Sequence, residues 1–245
     1  MRRVLCRWYG VTIYSYPAML YVGLVLGVLA GDIAAHRARL DAARAFVATL
    51  LLLFPALLGA RLAFVVGRWR FYRRHPRLIL ARSEGGAAMY GALPLSLGAS
   101  VPLLGALDIP FGAFWDVATF TILVGMLFTR VGCLLNGCCA GRATSSCWGV
   151  FLPDHRGVWA RRIPTQPMEA AWTLALLAGA LWAWARLPFE GALFLYLLGG
   201  YGLGRMALES GRESTAPGRW LTPQHGVSAG LVVVAVVGLV IGWSW

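Results

Sequence analysis

Seven apolar stretches, each close to the length of a membrane-spanning helix, constrain this chain more than any other feature it carries. A hydrocarbon core of about 30 Å takes about 20 residues of helix. Residues 13–30, 45–67, 88–107, 115–130, 168–186, 190–208 and 225–244 meet or approach that length. Backbone polar groups in lipid must find partners inside the protein, and helices do this within one segment. The expected fold class is therefore all-α integral membrane: seven transmembrane helices in a single membrane domain over residues 1–245, with a small extramembrane head segment at 140–163. Only 13% of residues are charged and the mean hydropathy is +0.68, whereas soluble domains carry about 25% charge. The third stretch contains Gly91, Pro94, Gly98 and Pro102, so it is expected to be broken or re-entrant. The fourth is short. Inverted internal repeats, the mark of many transporters, are not visible. Arg2, Arg3 and Arg7 precede an apolar run that contains tyrosines and lacks a clear cleavage site. That run reads as a retained first span rather than a signal peptide.

The net charge of +12 is carried wholly by arginine. No soluble basic domain is present to host nucleic acid, so membrane lipids with anionic headgroups are the expected partners. Arginine's planar fork grips phosphate better than an ammonium does, although a GC-rich coding bias produces the same usage. Residues 68–77 interleave arginine with aromatics, which suits a segment lying on headgroups. Of five cysteines, Cys133, Cys138, Cys139 and Cys147 fall within fifteen residues. Their intervals are unlike the paired C-x2-C of zinc sites, and no metal or organic cofactor is expected. A disulfide from Cys147 to Cys138 or Cys139 and simple packing thiols both stay open.

Polar residues inside the apolar stretches form recognisable groups. Residues 130–142 read Arg-Val-Gly-Cys-Leu-Leu-Asn-Gly-Cys-Cys-Ala-Gly-Arg. An arginine at mid-span costs about 2.5–3.5 kcal/mol unless it snorkels or meets an anion. Gly132, Gly137 and Gly141 remove side chains and allow close approach of a ligand or another surface. Residues 201–212 place Tyr201, Arg205, Glu209 and Arg212 at i, i+4, i+8 and i+11, on one helix face. An internal Arg205–Glu209 pair is the plainest reading of that face. Thr165 before Pro167 is a plain helix start. Tyr14 and Tyr16 suit an interface anchor, and Arg61 lies near enough to a span end to snorkel. Asp116 at a helix start favours the helix dipole.

Arg-x-Gly-x-x-x-Asn-Gly-x-x-x-Gly-Arg at 130–142 resembles the signature of the bacterial prolipoprotein diacylglyceryl transferases. Five further elements agree in order along nearly the whole chain. They are Tyr16 at the first span, Gly59-Ala60-Arg61, the run Glu84 to Leu93, Pro164-Thr165-Gln166-Pro167-Met168-Glu169, and the 201–212 face. Asp116, fourteen residues before Arg130, also fits the family spacing. The resemblance implies an enzyme that transfers the diacylglyceryl group of phosphatidylglycerol to the lipobox cysteine of a prolipoprotein signal peptide. A thioether forms and glycerol phosphate is released. On this reading Arg130 and Arg205 clamp the phosphate with Arg142 or Arg212 assisting, and Tyr16, Asn136 and Tyr90 orient the headgroup or carry a proton. Gly137 and Gly141 give close backbone approach, while Tyr201, Glu209, Gln166 and Arg61 complete the substrate-binding set.

This sequence departs from the family pattern at three points. Tyr90 stands where the family has a histidine, Cys133 where it often has asparagine, and Cys138 where it has glutamate. A non-catalytic lipid-binding paralogue and a cysteine-based redox or metal-handling membrane protein are the alternatives. The resemblance also implies a bacterial inner membrane with the site facing outward. That side would then hold fifteen arginines against four on the other, which the positive-inside rule would reverse. The motifs are preferred to the rule because the lipid substrate is itself anionic.

Overall fold

A computed structural model describes residues 4–8, 11–79, 89–153, 157–212 and 223–244. Seven long helices account for the seven apolar stretches: α1 (Ser15–Arg37), α2 (Ala42–Gly67), α4 (Met89–Ala106), α5 (Phe111–Asn136), α6 (Thr165–Ala183), α7 (Ala192–Glu209) and α8 (Pro223–Trp243). A single turn, α3 (Trp69–Tyr72), follows α2. Among the described residues α1, α2, α5, α6 with its 3-10 extension to Arg186, and α8 are long and apolar enough to cross a membrane. α4 and α7 are shorter, with 18 residues each. Leu57 is 71% exposed, Phe54 74% and Val240 65%; apolar side chains presented outward at this level belong against lipid rather than water. The chain is an all-α integral membrane protein.

Three boundaries differ from expectation. α4 runs unbroken through Pro94 and Pro102, because a proline in a membrane helix frees only one carbonyl, which neighbouring groups can satisfy. The Ser100 hydroxyl donates to the Leu97 carbonyl at 2.8 Å within that helix. α5 is longer than 115–130 at both ends, so Arg130 lies inside the helix rather than at its end. Two antiparallel hairpins also appear. Strands β1 (Val4–Trp8) and β2 (Val11–Tyr14) precede α1, and β3 (Val150–Pro153) and β4 (Trp159–Arg162) sit in the expected head segment.

The helices form two compact units, Met1–Ala34 with Trp115–Trp245, and Ala35–Phe114. In the first, α1 meets α5 backbone to backbone. A β-carbon on Gly27 would stand 2.6 Å from the Thr121 carbonyl oxygen, and one on Gly23 2.9 Å from Phe128 Cβ; Gly31 faces the Thr121 side chain just as closely. Small residues every fourth position are how membrane helices approach this far. The same unit contains α6, α7 and α8, with α7 packed on both others. In the second unit α2 packs on α4 with Gly59 and Gly91 against each other's carbonyls.

α7 begins at a residue that cannot cap it. Gly191 holds a left-handed φ of 98° and has no side chain to offer. The buried carboxylate of Asp116 on α5 does the work instead. It accepts from the backbone N–H of Gly191 at 2.7 Å, Leu193 at 2.9 Å and Phe194 at 3.1 Å. The expected dipole role is thus met across helices: Asp116 serves the N-terminus of α7, not of its own helix.

Candidate active site

Glu169 is the centre on which three arginines of the first unit converge. α6 starts at Thr165 and presents Thr165, Gln166 and Glu169 on its buried side. Glu169 is 6% exposed. Its Oε2 stands 2.8 Å from Nη1 of Arg130 on α5, while its Oε1 stands 2.9 Å from Arg205 Nη1 on α7 and 2.6 Å from Arg212 Nη2 just beyond α7. Arg205 also pairs with Glu209 one turn later at 2.9 Å. Three guanidinium groups therefore meet two carboxylates away from bulk solvent, where charges act on one another and on a bound anion far more strongly than at a surface.

Arg130, Arg205, Glu209 and Arg212 are thereby brought together, and Tyr201 lines the same narrow cleft with Trp172. Glu169 had a place in the sequence pattern but no assigned role. The one sequence signal for that role is an acid at the start of the 168–186 apolar span.

The backbone around this cluster is stitched from three distant segments. Arg142 N–H donates to the Gly211 carbonyl at 2.9 Å, and Ile163 N–H donates to the Arg142 carbonyl at 3.1 Å. Gly141 lies between them; a β-carbon there would run into the Ile163 carbonyl and stand 2.9 Å from that of Gly211. Arg142 is exposed and forms no ion pair among the described residues, so its side chain stays outside the cluster. Arg162, buried in the head segment, points Nη1 at the Gly141 carbonyl at 3.4 Å.

Beside the arginines lies a thiol-lined loop. α5 ends at Asn136, and the chain turns through left-handed backbone at Gly137 (φ 74°) and Cys139 (φ 60°). The Thr165 hydroxyl donates to the Cys139 carbonyl and Gln166 Nε2 to the Cys138 carbonyl, each at 3.0 Å. Thr165 opens α6 as its position suggests, and its side chain joins that of Gln166 in pinning the loop. The sulfurs of Cys133, Cys138 and Cys139 all lie within 4.8 Å of one another. Asn136 hydrogen-bonds the Cys138 thiol, and Tyr16 faces Arg130 and all three cysteines. Hydrogen bonds from the Cys133 and Cys138 thiols, helped by Arg212 and Arg130, hold the Cys139 thiol well below the usual thiol range. All five cysteines are free, so the disulfide from Cys147 does not form.

Arg61 and Tyr90 belong to the second unit. Arg61 does not simply snorkel: its Nε and Nη2 donate to the Ile79 and Leu78 carbonyls at 2.9 and 3.1 Å. The Tyr90 side chain lies outside the described residues, as does the first half of the run Glu84 to Leu93.

An apolar groove of about 670 Å³ opens between α6 and α7. Met168, Ala175 and Leu203 line it, and it shares Trp172, Gly204 and Leu208 with the charged cleft. A greasy channel that ends at buried arginines has the polarity of a phospholipid.

A family model described as prolipoprotein diacylglyceryl transferase matches residues 3–241. The chain is 28% identical to the phosphatidylglycerol–prolipoprotein diacylglyceryl transferase 2 of Clostridium perfringens, over 85% of this chain and 82% of that one. It is 28% identical to the phosphatidylglycerol–prolipoprotein diacylglyceryl transferase of Synechococcus elongatus, over 96% and 82%. It is 29% identical to the enzyme of that name from Streptococcus pyogenes serotype M1, over 92% and 89%.

Proposed function

The chain belongs to the prolipoprotein diacylglyceryl transferase family, and from that premise we propose that it moves diacylglycerol from phosphatidylglycerol to the lipobox cysteine of prolipoproteins. The observation that carries this reading is the convergence of Arg130, Arg205 and Arg212 on Glu169 at 2.6–2.9 Å. Fixed guanidiniums gathered where the apolar groove ends are suited to a phosphodiester headgroup. The acyl chains lie in the groove between α6 and α7, and the headgroup reaches the arginines at its inner end.

The reaction is an S-alkylation. The cysteine thiolate attacks the glyceryl carbon that carries the phosphate oxygen; the carbon–sulfur bond forms as the carbon–oxygen bond breaks. The leaving glycerol phosphate gains a second negative charge, so fixed guanidiniums favour the transition state over the ground state. Arg130 and Arg205 hold the phosphate and Arg212 assists. Tyr16, Tyr201 and Asn136 orient the headgroup, and Gly137 and Gly141 let the loop backbone come close to it. Gln166 fixes that loop, and Glu209 keeps Arg205 extended. The chain sits in the bacterial inner membrane with this cleft facing outward, where exported precursors arrive.

The test is mass spectrometry of a lipobox precursor incubated with the purified protein in phosphatidylglycerol vesicles. The expected result is a diacylglyceryl mass on the precursor cysteine, absent with Arg130→Ala. A precursor left unmodified by the intact protein would sink the reading.

A further inference from the structure

The three clustered thiols take no part in binding phosphate, yet the fold goes to some trouble to assemble them. Cys133 is buried in the last turn of α5, Cys138 is half-buried and Cys139 is exposed. Four residues lie between the first two in sequence. Their sulfurs meet only because the chain doubles back through left-handed backbone at Gly137 and Cys139. That conformation costs a residue with a β-carbon about 1–2 kcal/mol, and Cys139 keeps it with its carbonyl held by Thr165 and that of Cys138 by Gln166. A loop that holds a strained cysteine against two others, without joining any as a disulfide, is built for a ligand that binds sulfur.

Zinc–sulfur bonds of about 2.3 Å place sulfurs about 3.8–4 Å apart around one ion. The separations here, none above 4.8 Å, come down to that range by small side-chain rotations. Among the described residues no fourth histidine, cysteine or carboxylate joins the three. Three protein ligands with one open position is the pattern of a catalytic zinc rather than a structural one.

The reaction proposed above supplies a use for that position. A thiol must lose its proton before it attacks carbon, and the cluster's carboxylates, Glu169 and Glu209, are both held by arginines. Neither is a ready base. A zinc ion deprotonates a thiol outright on binding it. We propose that Cys133, Cys138 and Cys139 hold a zinc ion whose fourth position takes the lipobox cysteine as thiolate, beside Arg130. This rests on the transferase reading and names the means of nucleophile activation within it. The precursor thiol gives its proton to water as it binds the ion. Its sulfur then attacks the glyceryl carbon, and the electron pair of the broken carbon–oxygen bond leaves on glycerol phosphate. The thioether formed is neutral and a poor zinc ligand, so the product departs from the metal.

The experiment uses the full-length protein in detergent, stripped with a chelator and reloaded with zinc or cobalt(II). The expected results are one metal per chain, a sulfur-to-cobalt charge-transfer band, and a shift of the cobalt d–d bands when a lipobox peptide is added. The same peptide with serine for cysteine leaves the spectrum alone. Cys133→Ser and Cys138→Ser each weaken zinc binding at least tenfold, while Cys6→Ser and Cys147→Ser do not. The peptide titration on the intact protein keeps the test valid if the cysteine variants fold poorly. Full precursor lipidation by stripped protein, or a cobalt spectrum blind to the peptide, overturns the zinc site and leaves the transferase reading standing. Metal and thiol binding without lipidation in vesicles upholds the thiol-binding zinc site and removes the transferase reading.

Discussion

Replacing Asp116 separates a residue that holds the site together from those that touch substrate. Its two oxygens take three buried N–H groups at the start of α7, the helix that carries Tyr201, Arg205 and Glu209. Asp116→Asn can keep an acceptor on the Leu193 and Phe194 N–H groups. Its amide nitrogen then faces the Gly191 N–H, so one charge-assisted bond is lost, worth about 1.5–3 kcal/mol. Asp116→Ala strands all three donors at about 1–3 kcal/mol each. Removing a buried carboxylate recovers part of its desolvation cost, so the net loss is about 3–5 kcal/mol, the range for one partner of a buried pair. Thermal unfolding in detergent, followed by tryptophan fluorescence, reads both variants. Trp115 is a local reporter because its ring lies 4.7 Å from that of Phe194. Lipidation should fall in the same order, since Arg205 loses its fixed height along α7. An alanine variant that melts with the wild type, or an asparagine variant that melts with alanine, would refute the reasoning.

Glu169→Gln keeps shape but releases three guanidiniums from their anion. Phosphate-headgroup binding should tighten several-fold while the lipidation rate falls by about a hundredfold, roughly 2.7 kcal/mol of lost positioning; equal binding and rate would refute the hub. Gly141→Ala should cost about 1–3 kcal/mol by overpacking against the Ile163 and Gly211 carbonyls, read as a lower melting temperature; an unchanged melt would count against the three-segment contact. Cys139 in metal-free protein should be alkylated by iodoacetamide almost as fast at pH 6 as at pH 8. Its lowered pKa keeps the thiolate present as pH falls, whereas an ordinary thiol slows by nearly a hundredfold over that interval. Arg212→Gln should restore part of that slope, and a slope already ordinary in the parent would contradict the assignment.

Helix positions were legible because an apolar run of span length has few other structural solutions. Arg130 and Arg205 were legible as charges where lipid forbids them. Glu169 was not, since a pattern of residue types does not say which way a side chain turns or which helices it meets. The cysteine cluster was hidden for a related reason. Ligand spacing is judged along the chain, and here a left-handed turn, not a regular interval, closes the distance. The role of Asp116 was half visible: a carboxylate suits a helix start, but nothing local marks that helix as α7, seventy-five residues on. The unbroken course of α4 ran against its prolines, whose effect depends on what surrounds the freed carbonyls. Arg61 likewise found carbonyls of the Pro76–Ile79 turn that no span-end rule foresees.

The glycine seam between α1 and α5 has a mechanical consequence. Where main chain touches main chain, no torsion is left to absorb displacement, and that wall of the unit behaves as a fixed jaw. Tyr16 and Arg130 ride on it. Any widening that admits a lipid must come from the opposite wall, where Trp172 and Leu208 stand between the greasy channel and the charges; there Leu208 turns by a rotamer change, and Trp172 moves only by giving up its hydrogen bond to the Gly200 carbonyl. Stiffening that wall should slow turnover, and stiffening the seam should not.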